Sequence, residues 1–269
     1  MSLRIQNNVE ALGAHRALLH SNDKLAKSME RLSSGYRVNR AADDAAGLAI
    51  SERMRAQIRG VSQAMRNAQD GISLVQTAEG SLDEVHSMLQ RVRELAVQYK
   101  NGSLSDNDRA ALQLEVNQLA SEIERIGSSA EFNGIKVLNG ATMMTFQIGA
   151  NDSDAVAVST ISLGAAISAS VFALSSTQNA DLSEIDAAID AVSQQRSTFG
   201  AVQNRFEHLM NGLSVYHENL VASESRIRDV DMAEEMVTMT KYQILQQAGT
   251  SMLAQANQLP QSVLSLLRG

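Results

Sequence analysis

Hydrophobic positions in this chain recur almost everywhere with a helical period. In the second half, Leu182, Ile185, Ile189 and Val192, then Phe206, Leu209, Leu213, Tyr216 and Leu220, alternate steps of three and four, the spacing of a helix–helix seam. A matching seam precedes it: Val61, Met65, Ala68, Ile72 and Val75, then Leu82, Val85, Leu89, Val92, Ala96 and Tyr99, with Glu79 at the intervening seam position. A single helix from Gly60 to Tyr99 would be roughly 60 Å long at the α-helical rise. Two such helices on either side of a short non-helical middle predict an all-α fold, an elongated antiparallel long-helix bundle resembling a coiled-coil rod.

The remaining blocks complete that picture. A first helix is expected over about Ile5 to Leu32, stopped by Ser33-Ser34-Gly35. Asn39, Asp43 and Asp44 supply capping side chains before the long second helix, which Asn101-Gly102 ends. Ser105-Asp106-Asn107-Asp108 then starts a third, with Leu112, Val116, Leu119, Ile123 and Ile126 on one face, expected to fold back on the second. Asn133-Gly134 and Asn139-Gly140 are hairpin-type turn signals around Ile135 and Val137, while Phe146 and Ile148, and Val156 and Val158, alternate like short strands. A small β element is therefore expected over about 130–180. A last helix follows the acidic break Asp229–Glu235, with Leu245, Ala248, Met252, Leu259, Val263 and Leu266 on one stripe.

The outermost blocks carry apolar stripes that only each other can cover, and two thin helices cannot bury all of that surface. Exposed apolar area seeks neighbouring copies, and head-to-tail contacts between identical subunits build open helical filaments when they do not close a ring. The pattern thus points to self-assembly.

Composition narrows the class. Aromatic residues make up 3% of the 269, there is one proline and no tryptophan, and few helix breakers suit thin bundles. A net charge of −7 without any basic block opposes nucleic acid as a partner. The absence of cysteine excludes disulfide and zinc-thiolate scaffolds. The start, MSLRIQNNVEALGAHRALL, is too charged for a cleavable signal peptide, and the charge-free stretch Ala155–Asn179 is too rich in Ser and Thr to cross a membrane. Asp229, Asp231, Glu234 and Glu235 read as helix-capping acids rather than a metal site, and no histidine pair, phosphate loop or nucleophile motif suggests a catalyst or a cofactor. A soluble enzyme is the reading from another class, and a compact monomer with a catalytic pocket would favour it.

Six segments carry a family resemblance: LSSGYRVNRAADDAAGLAIS (Leu32 to Ser51), QRVRELAVQ (Gln90 to Gln98), EFNGIKVLNG (Glu131 to Gly140), GAVQNRFEH (Gly200 to His208), ENLVASESRIRDVDMAEEM (Glu218 to Met236) and MLAQANQLPQSVLSLLR (Met252 to Arg268). The chain resembles bacterial flagellin, in a short form without the large outer domains that longer members insert between Gly140 and Asp181. A hook-filament junction protein with similar ends is the alternative within the same apparatus.

The resemblance implies an inner-tube domain at 1–40 with 230–269 and a rod domain at 41–229. It also implies secretion through the flagellar export apparatus and polymerisation outside the cell. Implied partners are further copies of the chain, cap and junction proteins, an export chaperone on the C-terminal helix, and the host Toll-like flagellin receptor. Ile5, Val9, Leu12, Met252, Leu259, Val263, Leu264 and Leu267 are the expected polymerisation residues. Arg91, Leu95 and Glu115 match the family's receptor-binding positions and are expected to form one exposed patch.

Overall fold

The computed structural model describes residues 8–140, 143–151, 153–160, 162–167, 172–174 and 180–268, with the side chains of 165, 166, 180, 181 and 259–268 outside that description. Its helices are α1 (Val9–Ser34), α2 (Ala45–Tyr99), α3 (Asp106–Ser129), α4 (Leu163–Ala166), α5 (Ala180–Arg228) and α6 (Met232–Arg268). The strands are β1 (Glu131–Phe132), β2 (Ile135–Lys136), β3 (Met143–Gln147) and β4 (Ala155–Ser159). The chain is all-α with long helices packed on one another and two small hairpins, as the periodicity predicts. Two compact units divide it, residues 1–56 with 219–269, and residues 57–218.

Local chemistry sets the boundaries. Gly35 closes α1 in the left-handed conformation, φ 75°, with its N–H donating to the Arg31 carbonyl. Asp44 accepts from the Gly47 N–H at 2.8 Å in the first turn of α2. Ser105 and Asp108 form a reciprocal capping box at the start of α3. Asp231 Oδ1 accepts from the N–H groups of Ala233 and Glu234, so the acidic break is a helix start.

In the unit 57–218, one core joins α2, α3, α5 and the hairpins. Val61, Ala68, Val75, Leu82, Val85, Leu89, Val92 and Ala96 of α2 are all buried, as are Val116 and Ile123 of α3 and Ile185, Val192 and Phe206 of α5. The seam position assigned to Glu79 belongs to Ala78, which is fully buried while Glu79 lies half-buried beside it. A carboxylate in that dry seam would lose its hydration without a partner, and the methyl group fits the close helix approach. In α5 the expected stripe loosens beyond Phe206, for Leu213 is half-buried and Tyr216 is exposed. Phe199, fully buried, belongs to no stripe read from the sequence.

The turn Asn133-Gly134 has positive φ at both residues, 50° and 77°, and joins β1 to β2 as an antiparallel pair. That is the mirror-image turn whose twist matches a hairpin. Asn139-Gly140 does not make a second hairpin turn, because Asn139 instead bridges to Ser162. β3 and β4 pair antiparallel and bury Val156 and Val158. The Phe146 ring meets Phe206 edge-on, 5.7 Å between centroids, and Asn67 donates to the Gln147 carbonyl at 2.9 Å, so the hairpin is fixed to α2 and α5.

Two glycines of α2 should respond oppositely to the same change. A Cβ on Gly71 would lie 2.9 Å from the buried Phe206 ring, whereas one on Gly80 meets nothing. Gly71→Ala is expected to destabilise by about 1–3 kcal/mol through overpacking. Gly80→Ala is expected to stabilise by about 1 kcal/mol through helix propensity alone. Urea midpoints of the two variants check both signs.

Candidate functional site

In the unit formed by residues 1–56 and 219–269, α1 and α6 run antiparallel. Asn8 donates to the Ala256 carbonyl at 2.8 Å near one end, and Arg31 faces Glu235 at 3.6 Å near the other. The side chains between them mix small and polar residues with Leu, Met and Tyr. On α1 the covered positions Ala11, Ala14, Leu18, Ser21, Leu25, Ser28 and Leu32 alternate steps of three and four. On α6, Glu235, Met239, Tyr242, Gln246, Gly249, Leu253 and Ala256 do the same. A Cβ on Gly249 would stand 3.2 Å from Leu18, which shows how closely the helices approach.

Many further large apolar side chains lie outside this seam. Val9, Leu12 and Met252 are 58%, 60% and 62% exposed, and Leu19, Met29, Met236, Val237, Ile244 and Leu245 are exposed as well. Met236, Val237, Thr240, Lys241 and Ile244 line a shallow groove on α6. Exposed apolar side chains in this number make the unit a candidate for contact with another molecule. Of the other expected polymerisation residues, Leu259, Val263, Leu264 and Leu267 belong to α6 but their side chains lie outside the description, and Ile5 lies outside the described residues.

A second constellation closes the same unit. The Arg37 N–H donates to the Arg228 carbonyl at 2.6 Å and the Val230 N–H to the Gly35 carbonyl at 3.0 Å, so the loop after α1 is stitched to the turn between α5 and α6. Arg37 Nη2 adds a bond to the Ile227 carbonyl at 2.8 Å. The Arg228 guanidinium stacks 4.6 Å over the Tyr36 ring and reaches Glu52 Oε1 at 2.9 Å. That bond, with help from Arg55, holds the Glu52 carboxyl below the usual carboxylate range.

On α2 and α3 the expected receptor triad separates. Arg91 Nη2 pairs with Glu115 at 2.9 Å and Arg91 Nη1 with Glu94 at 3.0 Å, all on the surface. These bonds, Glu115 first, favour the charged guanidinium. Leu95 is 1% exposed and belongs to the core of this unit, which corrects the expectation of a three-residue exposed patch. Leu95 falls one helical turn beyond Arg91, but the two flank the edge of the buried stripe. The α2–α3 contact therefore takes the apolar side chain inward and leaves the ion pair outside.

A cavity of about 500 Å³ lies beside α3 and α4, lined by Ile123, Gly127, Leu138, Leu163, Ile167 and Phe172 among others. Among the described lining residues Glu124 is the single ionisable group. Among the described residues no group of three acidic, histidine or cysteine side chains could hold a metal, and no helix is long and apolar enough to cross a membrane.

Residues 5–143 match the bacterial flagellin N-terminal helical region, and residues 182–267 match the bacterial flagellin C-terminal helical region. The chain belongs to the bacterial flagellins. It is 52% identical to a flagellin of Halalkalibacterium halodurans, over 98% of this chain and 99% of that one. It is 47% identical to the flagellin of Bacillus subtilis, over 99% and 100% of the two chains. A 33 kDa flagellar filament core protein of Treponema phagedenis is 49% identical over 98% and 99%. Among solved structures, Bacillus cereus flagellin aligns with a TM-score of 0.51 at 28% identity, covering 55% of this chain and 88% of that one.

Within this flagellin, the motifs Leu32–Ser51 and Glu218–Met236 prove to be the two halves of the Arg228 junction. Their meeting was not readable from spacing, because it joins positions far apart in the sequence through backbone groups. The Glu52 bond makes the junction sensitive to acid. Because the folded pKa is lowered, its stabilisation is present above the ordinary carboxylate range and is lost as pH falls through the lowered value. Glu52→Gln is therefore expected to lower the urea midpoint slightly at neutral pH, with variant and parent converging in acid. High salt should shrink the neutral-pH difference, since the pair is exposed.

Proposed function

We propose that this flagellin is the structural subunit of the flagellar filament and polymerises through the outward apolar faces of α1 and α6. The observation that carries the reading is the division of labour on these helices. One seam of Ala, Ser and Gly interleaved with Leu, Met and Tyr joins them to each other, while Val9, Leu12, Met252 and other large apolar side chains stay in water. Burying such side chains against further copies returns about 25 cal/mol per Å² of apolar area, enough over many contacts to order a polymer.

In this reading residues 1–40 with 230–269 form the inner tube and 41–229 the surrounding shell. Leu259, Val263, Leu264, Leu267 and Ile5 are further polymerisation residues in this reading. Exported subunits assemble outside the cell, between cap and junction proteins, after a chaperone has shielded the C-terminal helix. The filament subunit is favoured over the junction protein because the similar relatives carry flagellin and filament core names. A flagellin is a structural protein, and the reading requires no catalysis.

Deleting Leu245–Gly269 tests the assignment. The truncated protein is expected to keep the helical signal of residues 57–218, whose core is closed without α6, and to form no filaments under the electron microscope. Tubes of normal diameter from this variant would overturn it.

The surface pair Arg91–Glu115 supports a second role, recognition by the host Toll-like flagellin receptor, with Leu95 acting from beneath by holding α2 against α3. Arg91→Ala should then reduce receptor signalling without changing the urea midpoint. Leu95→Ala should reduce signalling and also destabilise by about 2–5 kcal/mol, the cost of a buried leucine. Unchanged signalling from folded Arg91→Ala monomer would remove this role.

A further inference from the structure

Four Asn-Gly dipeptides occur in the sequence, at Asn101, Asn133, Asn139 and Asn211. Their intrinsic chemistry is the same, because in each the following residue has no side chain to hinder its backbone nitrogen. The fold treats them differently. We propose that Asn101 is a site of spontaneous deamidation in the folded protein, and that the other three are protected by the structure around them.

The reaction needs three things: a backbone nitrogen that can reach the amide carbon of the preceding side chain, freedom to rotate, and solvent. Asn101, Gly102 and Ser103 are all exposed, in the turn between α2 and α3. Asn101 Oδ1 accepts from the Ser103 N–H at 3.4 Å. That turn keeps the side-chain amide against the backbone that follows it, and the donated hydrogen bond polarises its carbonyl. Among the described residues the Gly102 N–H has no backbone acceptor.

Each of the other sites lacks one requirement. Asn133 and Gly134 are locked at positive φ in a hairpin turn flanked by two ladder pairs and the Lys136–Glu131 ion pair. Asn139 is bridged to Ser162, and the Gly140 carbonyl accepts from Thr160 Oγ1 at 2.8 Å. Asn211-Gly212 lies inside α5, where the helix occupies the glycine N–H.

The step balances without any cofactor. Hydroxide removes the Gly102 amide proton and the nitrogen attacks Asn101 Cγ. The new N–C bond forms as the bond from Cγ to Nδ2 breaks, and ammonia leaves with a proton from solvent. Water then opens either carbonyl of the cyclic imide, which leaves an aspartate or an isoaspartate. The new carboxylate stands just beyond the C-terminus of α2, where the helix dipole disfavours negative charge, so the last turn of α2 loosens. The isoaspartate route also lengthens the turn by one backbone carbon.

Peptide mapping by mass spectrometry tests this on the full-length protein, incubated in mildly alkaline buffer with and without guanidinium chloride. In the denatured state the four sites should convert at comparable rates. In the folded state Asn101 should outpace each of the others by roughly tenfold or more, the kind of factor that positioning supplies. Gly102→Ala separates chemistry from folding, because a Cβ there meets nothing and the backbone is not left-handed. It should suppress conversion at Asn101 with the urea midpoint unchanged. Folded protein in which Asn133, Asn139 or Asn211 converts as fast as Asn101, or in which Gly102→Ala leaves the Asn101 rate intact, would overturn the proposal.

Discussion

The close antiparallel contact between α1 and α6 governs what residues 1–56 and 219–269 can do. A helix has a narrow circumference, and the side facing its partner is here shared between Ala, Ser and Gly and larger side chains such as Leu18, Leu25 and Met239. Small side chains let the backbones approach, as the 3.2 Å spacing from a Gly249 Cβ to Leu18 shows. One seam on each helix also leaves Val9, Leu12, Leu245 and Met252 outside it, with apolar surface for another copy to bury.

The Arg228 junction serves that arrangement from the other end of the two helices. Two backbone hydrogen bonds and the stacked guanidinium fix where α1 stops relative to where α6 starts. The outward faces then hold a defined register along α1 and α6. Both bonds run between main-chain atoms, and one of them uses the carbonyl of Gly35, whose left-handed backbone favours glycine. The junction's Glu52 arm is electrostatic and exposed, so pH and salt reach it.

The unit 57–218 obeys the opposite rule. Its apolar stripes on α2, α3 and α5 close on one another and on the β3–β4 hairpin, and the Arg91–Glu115, Arg93–Asp186 and Arg196–Asp83 pairs line the outside. Surface pairs add little stability, but they place charge at the edges of the seams, where a slipped register would oppose like charges. Leu95 shows the consequence. Its burial belongs to the α2–α3 contact, and any influence it has on a receptor passes through that contact.

The sequence by itself determined the helices, their caps and the first hairpin, because capping boxes, an Asn-Gly turn and a period of three and four act over a few residues. It also placed most of the seam of α2 and the first half of that of α5, where apolar residues recur on a single face that can be buried. Tertiary structure alone decided the rest. Periodicity marks an apolar stripe without saying whether it faces in or out. Thus Leu245 and Met252 lie in water, while the seam of α6 runs through Gln246, Gly249, Leu253 and Ala256. The burial of Leu95, the choice of Ala78 over Glu79 and the meeting of Tyr36 with Arg228 likewise depend on which helix lies opposite, and that is a property of distant segments no local pattern encodes.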